Sequence, residues 1–146
     1  YIRDVSALVS VYNLNLSNTL ISDVSHLGSV HTLELKRCTE ITDVSALVSV
    51  HTLNLENSKI SDVSALGSAH KLTFRRCPNI TDVSRLGSVH TLDLSYCINV
   101  TDVSALGSVY ELNLENTRIT DASMLGSVHK LNIKYCRNLN NIYVDD

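Results

Sequence analysis

No stretch of this chain is apolar for more than a few residues, so nothing in it reads as a membrane span, and no basic, apolar leader opens it. Charge of one sign is equally scarce. Lys and Arg number 12 against 15 Asp and Glu, a net charge of −3 spread in small alternating groups. No field of the kind that gathers nucleic acid, an anionic membrane or an acidic substrate follows from that pattern. Short cysteine spacings are also missing: Cys38, Cys77, Cys97 and Cys136 lie 39, 20 and 39 residues apart, unlike the close pairs of a zinc site. Reduced cysteines and the lack of a leader give the expectation of an intracellular protein. Asn15, Asn79 and Asn99 head N-x-S/T triplets that the chain generates by its own repetition. What is present, 146 residues with 44% hydrophobic content, suits one globular domain.

That domain is repetitive throughout. Asp-Val-Ser or a near copy begins at Asp4, Asp23, Asp43, Asp62, Asp82, Asp102 and Asp121, at intervals of 19, 20, 19, 20, 20 and 19 residues. One position sets the interval: the longer units carry Cys38, Cys77, Cys97 and, if Asn141 stands in for the next Asp, Cys136, and the shorter ones carry Thr19, Ser58 and Thr117. We expect this inward group to bond the backbone of the descending loop, with thiol and hydroxyl suiting loops one residue apart in length. The triplet Leu-x-Leu alone alternates with period two, which predicts a short strand with its leucines inward. Stacked parallel at roughly 4.8 Å, such strands make a rod on the order of 35 Å long. Ile41, Val44, Leu47, Val50, Leu53 and Leu55 are the expected inward set of one turn, too few to form a core without neighbours.

Val30-x-x-Leu33-x-Leu35-x-x-Cys38 and its copies resemble the conserved segment of leucine-rich repeats. The following Ile-Thr/Ser-Asp-Val-Ser-Ala-Leu is similar to internalin repeats, and Cys-x-x-Ile-Thr-Asp to the cysteine-containing repeats of F-box adaptors. Units this short and uniform also resemble repeat proteins of large DNA viruses of amoebae. Internalin units are about 22 residues and cysteine-containing ones about 26. This chain therefore has no room for a full convex helix, and a tight turn or one-turn 3₁₀ segment is expected instead. The resemblance implies a leucine-rich-repeat solenoid with a parallel sheet on one face, occupying residues 1–136 and starting in mid-repeat, then a degenerate final turn at 137–146.

Residues at equivalent positions form columns along such a stack. The seven aspartates would repel one another, so each is expected to accept backbone N–H bonds at the start of a helical turn; one carboxylate per turn is too few oxygens for calcium. His31, His51, His70, His90 and His129 share a column with Tyr12 and Tyr110. Neighbouring imidazoles can hold zinc, but the tyrosines favour a stack of flat amphipathic rings, each reaching a backbone group. Gly28, Gly67, Gly87, Gly107 and Gly126 alternate with Val9 and Val48 in another column, so that turn cannot demand positive φ.

The strand's outward residues are expected to form the binding face. Thr32, Glu34, Asn54, Lys71 and Asp93 lie on it, and Lys36, Arg37, Arg75, Arg76 and Tyr96 follow it at the strand exits. Glu56 is placed to pair with Lys36 and Arg75, and Glu115 with Lys134. Interleaved Glu34, Glu56 and Asp93 argue against nucleic acid. Every Ser, His, Asp and Cys recurs in equivalent settings, whereas catalysis needs one constellation unlike its surroundings. The expected function is thus a non-enzymatic module that binds a protein, needing no cofactor, metal or small-molecule substrate. The alternative is a scaffold or spacer that associates end to end or side by side, with Leu139, Ile142, Tyr143 and Val144 as an apolar C-terminal surface. The lack of an N-terminal cap suggests a piece of a longer polypeptide.

Overall fold

The computed structural model describes residues 4–139. Asn141, Ile142, Tyr143 and Val144 lie outside the described residues. Among the described residues seven strands form one parallel sheet in sequence order: Asn13–Asn15 (β1), Thr32–Glu34 (β2), Thr52–Asn54 (β3), Lys71–Thr73 (β4), Thr91–Asp93 (β5), Glu111–Asn113 (β6) and Lys130–Asn132 (β7). Each is preceded by one turn of 3₁₀ helix, from Ser6–Leu8 to Ser123–Leu125. Units of 19 or 20 residues cannot fit a longer helix and still return the chain to the next rung, so the tightest helical turn is used.

The register is strict: Leu14, Leu33, Leu53, Leu72, Leu92, Leu112 and Leu131 pair in succession. The strand lies one residue earlier than the Leu-x-Leu triplet suggests and is centred on its first leucine. The second leucine follows the strand but keeps the ladder, as in the Leu35 N–H donating to Asn54 O at 2.8 Å. In the inner turns both leucines are buried, as are Ile41, Val44, Leu47 and Val50, so the interior is one continuous column-built core, while Leu14 is half-buried and Leu131 exposed at the ends of the stack. Phe74 replaces the second leucine in the same turn in which Ala69 replaces a valine, keeping the summed volume close to that of its neighbours.

The extra residue of the long units has a definite place. After Cys38, Cys97 and Cys136 the chain closes a further turn, with Ile41, Val100 and Leu139 N–H donating to the cysteine carbonyls at 3.3, 3.1 and 3.2 Å. The glycines have φ near −62° (Gly28, Gly67 and Gly87) and none is positive. Their requirement is space. A Cβ on Gly28, Gly67, Gly87 or Gly107 would fall 2.3–2.4 Å from a carbonyl oxygen of the next turn. No helix among the described residues is long and apolar enough to cross a membrane.

Candidate functional site

Three columns of polar side chains run along the stack, and their geometry separates those that hold the fold from those that face outward. At the first corner, Asp4, Asp23, Asp43, Asp62, Asp82, Asp102 and Asp121 each accept the backbone N–H of the serine two residues on, at 2.8–2.9 Å. These bonds begin every 3₁₀ turn. Bonds from that serine's N–H and hydroxyl hold all seven carboxyls below the ordinary aspartate range, although neighbouring aspartates push several of them the other way. The column therefore stays ionised and exposed at neutral pH.

At the second column, Tyr12, His31, His51, His70, His90, Tyr110 and His129 form an unbroken stack with centroids 4.4–4.7 Å apart and planes within 21° of parallel. Imidazole lone pairs lie in the ring plane, so parallel rings direct them side by side and not toward a shared ion. Among the described residues no group of three or more candidate ligands is placed to hold a metal. The rings reach a side chain where a backbone partner was expected: His51 and His90 Nδ1 lie 3.2 Å from the hydroxyls of Thr52 and Thr91. Partial desolvation, then the flanking His31 and His70, lower the pKa of His51.

The cysteines form a buried ladder of unbridged thiols. Cys38, Cys77, Cys97 and Cys136 donate to the strand-end carbonyls of the preceding turn, Leu16, Leu55, Phe74 and Leu114, at 3.0–3.1 Å. Thr19 and Thr117 instead donate back within their own turn, to Leu16 and Leu114 at 2.8 and 2.7 Å. Thiol and hydroxyl thus meet at one carbonyl, and the expected bond to the descending loop is replaced by this shared acceptor. Burial raises the Cys77 thiol and pushes Cys97 up to about 12, which keeps both protonated.

The strand exits are the variable region. Their second residues, Asn18, Arg37, Asn57, Arg76, Tyr96, Asn116 and Tyr135, all adopt the left-handed conformation, with φ between 56° and 62°. The short units place Asn there, the non-glycine residue that tolerates it best, but the long units place Arg or Tyr. Sequence reasoning missed this, although Asn at three exits was its signal. In five exits Asn15, Asn54, Asp93, Asn113 or Asn132 also accepts the N–H two residues on, at 2.8–3.1 Å. Glu34 and Thr73 make no such bond, and they head the two dibasic exits, Lys36-Arg37 and Arg75-Arg76.

Of the candidate binding residues, Asn54 and Asp93 are thus engaged in holding turns, and Thr32 and Lys71 lie on the sheet face, half-buried and exposed respectively. Arg75, Arg76 and Tyr96 come together, with the guanidiniums 5.0 and 5.3 Å from the ring centroid. Tyr96 donates its hydroxyl to Glu115 at 3.0 Å. Glu56 approaches Arg75 at 3.7 Å and Arg76 at 3.9 Å, as expected for Arg75, but Lys36 pairs with Glu34 of its own strand at 3.6 Å and not with Glu56. Glu115 takes Tyr96 and the Asn132 amide (3.3 Å) where Lys134 was expected.

No protein-family model and no curated protein matches the chain. Solved structures do. The functional domain of InlJ from Listeria monocytogenes, described as including a cysteine ladder, aligns with a TM-score of 0.61 and 23% identity over 97% of this chain and 38% of that one. Internalin C2 from the same organism aligns with a TM-score of 0.65 and 24% identity over 90% of this chain and 66% of its own. This chain thus spans less than two thirds of either neighbour. Both are bacterial, and neither bears on the resemblance to viral repeat proteins. At such identities the likeness is one of fold, and together with a single parallel sheet and 3₁₀ turns in place of helices it makes this chain a leucine-rich-repeat solenoid.

Proposed function

We propose that the chain is a non-enzymatic protein-binding module that uses its exposed sheet face and the adjoining strand exits. The observation that carries this reading is where variation falls. Inward positions and the aspartate corner repeat almost unchanged, whereas the outward strand positions and exits differ from turn to turn, running from Lys36-Arg37 to Glu56-Asn57 to Ser95-Tyr96. A surface that only needed to be wet could have repeated like the rest. Thr32, Lys36, Arg37, Lys71, Arg75, Arg76 and Tyr96 are the proposed contact residues, with Glu34, Asn54 and Asp93 shaping the surface around them. The non-enzymatic reading rests on each Ser, His, Asp and Cys recurring in equivalent surroundings, and the intracellular one on four unbridged, buried thiols. Carboxyl and amine footprinting of the chain with a bound protein tests the proposal. Protection at Lys71, Lys36 and Glu56 is expected; protection confined to the aspartate corner and the 3₁₀ side would overturn it.

A scaffold is the second reading, and the uniformity of the 3₁₀ side, with its row of equal aspartates, favours it. Light scattering on the Arg37→Asn/Arg76→Asn variant tests this reading, since a spacer that packs through its uniform 3₁₀ sides still grows in mass with concentration when the exit arginines are gone, and a variant that stays monomeric overturns it.

A further inference from the structure

The strand exits carry unsatisfied donors where the local backbone is least favourable. Arg37 and Arg76 occupy left-handed positions that Asn fills elsewhere, and their strands lack the side-chain bond that steadies the other five exits. Two local disadvantages coincide with the two dibasic pairs. Glu56 does not satisfy the second of these pairs, because 3.7 and 3.9 Å exceed the 2.7–2.9 Å of a charge-assisted hydrogen bond. Among the described residues, Arg75 Nε and the hydroxyl of fully buried Ser95 find no hydrogen-bond partner. Tyr96, fixed by Glu115, lies beside both guanidiniums, at 5.0 and 5.3 Å from its ring centroid, and the side chains of Arg75 and Arg76 stay partly exposed. A guanidinium so exposed takes a carboxylate.

The same chain presents carboxylates in the required form. Each aspartate at the 3₁₀ corner accepts its serine's N–H through Oδ1 and remains exposed, so its carboxylate stays accessible to a further donor. Between consecutive aspartates lie shallow clefts, of about 240 Å³ between Asp82 and Asp102 and about 140 Å³ between Asp102 and Asp121. Arg85 of the chain itself lines the cleft between Asp62 and Asp82, and its charge, after the bonds from Ser84, lowers the Asp82 carboxyl, so a cation is favoured in this setting. In the Asp23–Asp43 and Asp82–Asp102 clefts Ala46 and Ala105 stand where Arg85 stands, and leave the space open. Both columns repeat with the rise of one strand, so arginines two turns apart meet alternate clefts of a parallel neighbour without distortion.

We propose that the strand-exit arginines Arg37 and Arg76, with Arg75 and Tyr96 beside them, dock into the aspartate-flanked clefts of a second copy of this chain. It rests on the reading of the exits as a binding surface and names the partner. The contact is heterologous, exit to 3₁₀ corner, so it leaves an exit and a corner unused at its two ends and extends into open arrays. Exposed ion pairs are individually weak, and several rungs must engage together.

Sedimentation velocity on the whole chain at about 100 µM tests this. In about 20 mM salt the sedimentation coefficient is expected to rise with concentration, and in about 300 mM salt to return to the monomer value. The double variant Arg37→Asn/Arg76→Asn uses the residue native to Asn18, Asn57 and Asn116, and Asp43→Asn/Asp82→Asn/Asp102→Asn keeps the oxygen that caps each turn, so both retain the fold by circular dichroism. Each variant alone is expected to lose at least about tenfold in self-affinity. Mixed, the two are expected to form a closed one-to-one complex, because one supplies the corner and the other the exit. A monomer at low salt, or association unaffected by either set, overturns the proposal. A monomer that still shows sheet-face protection by another protein would leave the binding reading standing and remove only the second copy as its partner.

Discussion

Every turn of the solenoid has two corners that face the same problem, an N–H group left without a partner where the backbone bends, and they solve it differently. At the 3₁₀ corner Asp accepts that N–H in all seven turns, with distances that vary by a tenth of an ångström. At the strand exit the equivalent bond is made in five turns and abandoned at Glu34 and Thr73. The first corner is held by its local energetics alone. The second departs from its best local solution where Arg or Tyr stands, so something other than turn stability selects those residues.

The comparison can be broken most severely from beneath, because both corners stand on one core. Phe74 is fully buried in the central turn, and Phe74→Ala removes an aromatic from a close-packed column. A loss of about 3–5 kcal/mol in urea-induced unfolding is expected. Because each turn is buttressed only by its neighbours, both corners should melt together. Separate transitions for the ring stack and the exits would show the corners to be independent.

A smaller effect separates long units from short ones. Cys77→Thr in an unshortened loop places a hydroxyl where short units place one. That hydroxyl turns back to its own strand end, Phe74 O, which already accepts Cys97 at 3.0 Å, and it leaves Leu55 O without the thiol that reaches it at 3.1 Å. A loss of about 1–2 kcal/mol follows from the abandoned buried acceptor. Full retention of the melting temperature would mean that loop length, and not the thiol, fixes the unit.

The exit corner can be sharpened in the opposite direction. Thr73→Asn with Arg76→Asn restores both the accepting oxygen and the residue that tolerates φ near 58°. A gain of about 1 kcal/mol is expected, with loss of whatever Arg76 binds. A destabilised double variant would show that the Tyr96 stack, at 5.0 and 5.3 Å from the two guanidiniums, contributes more than the turn loses.

Periodicity made the inward columns, the aspartate cap and the ring column legible, because each is one residue type repeated at one position. The left-handed exits were hidden since only Asn18, Asn57 and Asn116 carry the signal, and Arg37, Arg76, Tyr96 and Tyr135 break it. The glycine column misleads for another reason. Its φ is ordinary, and the constraint is a carbonyl 2.3–2.4 Å from a Cβ that glycine lacks, which belongs to the next turn and has no local signature. Lys36 likewise had two acidic neighbours in the sequence pattern, which by itself does not choose between them, and the structure pairs it with Glu34.

The smallest expected effect is on pH dependence, where the ring column and the aspartate corner act in separate windows. The His51 pKa is lowered from 6.5 in the folded chain, by desolvation first and then by His31 and His70. As pH falls below 6.5 the unfolded chain takes up that proton before the folded one does, so the stabilisation is complete above that pH and is lost as pH falls through the folded value. The aspartates, lowered from 3.8, contribute fully above 3.8 and lose their share only below it. Thermal melts across pH should therefore show a shallow decline beginning near 6.5 and a second one below 3.8. His51→Tyr should flatten the first and leave the second, because Tyr12 and Tyr110 already stack in this column at 4.5–4.7 Å. If the first decline survives in that variant, the proton enters elsewhere than the centre of the stack, and the rings serve the fold through their contact area alone.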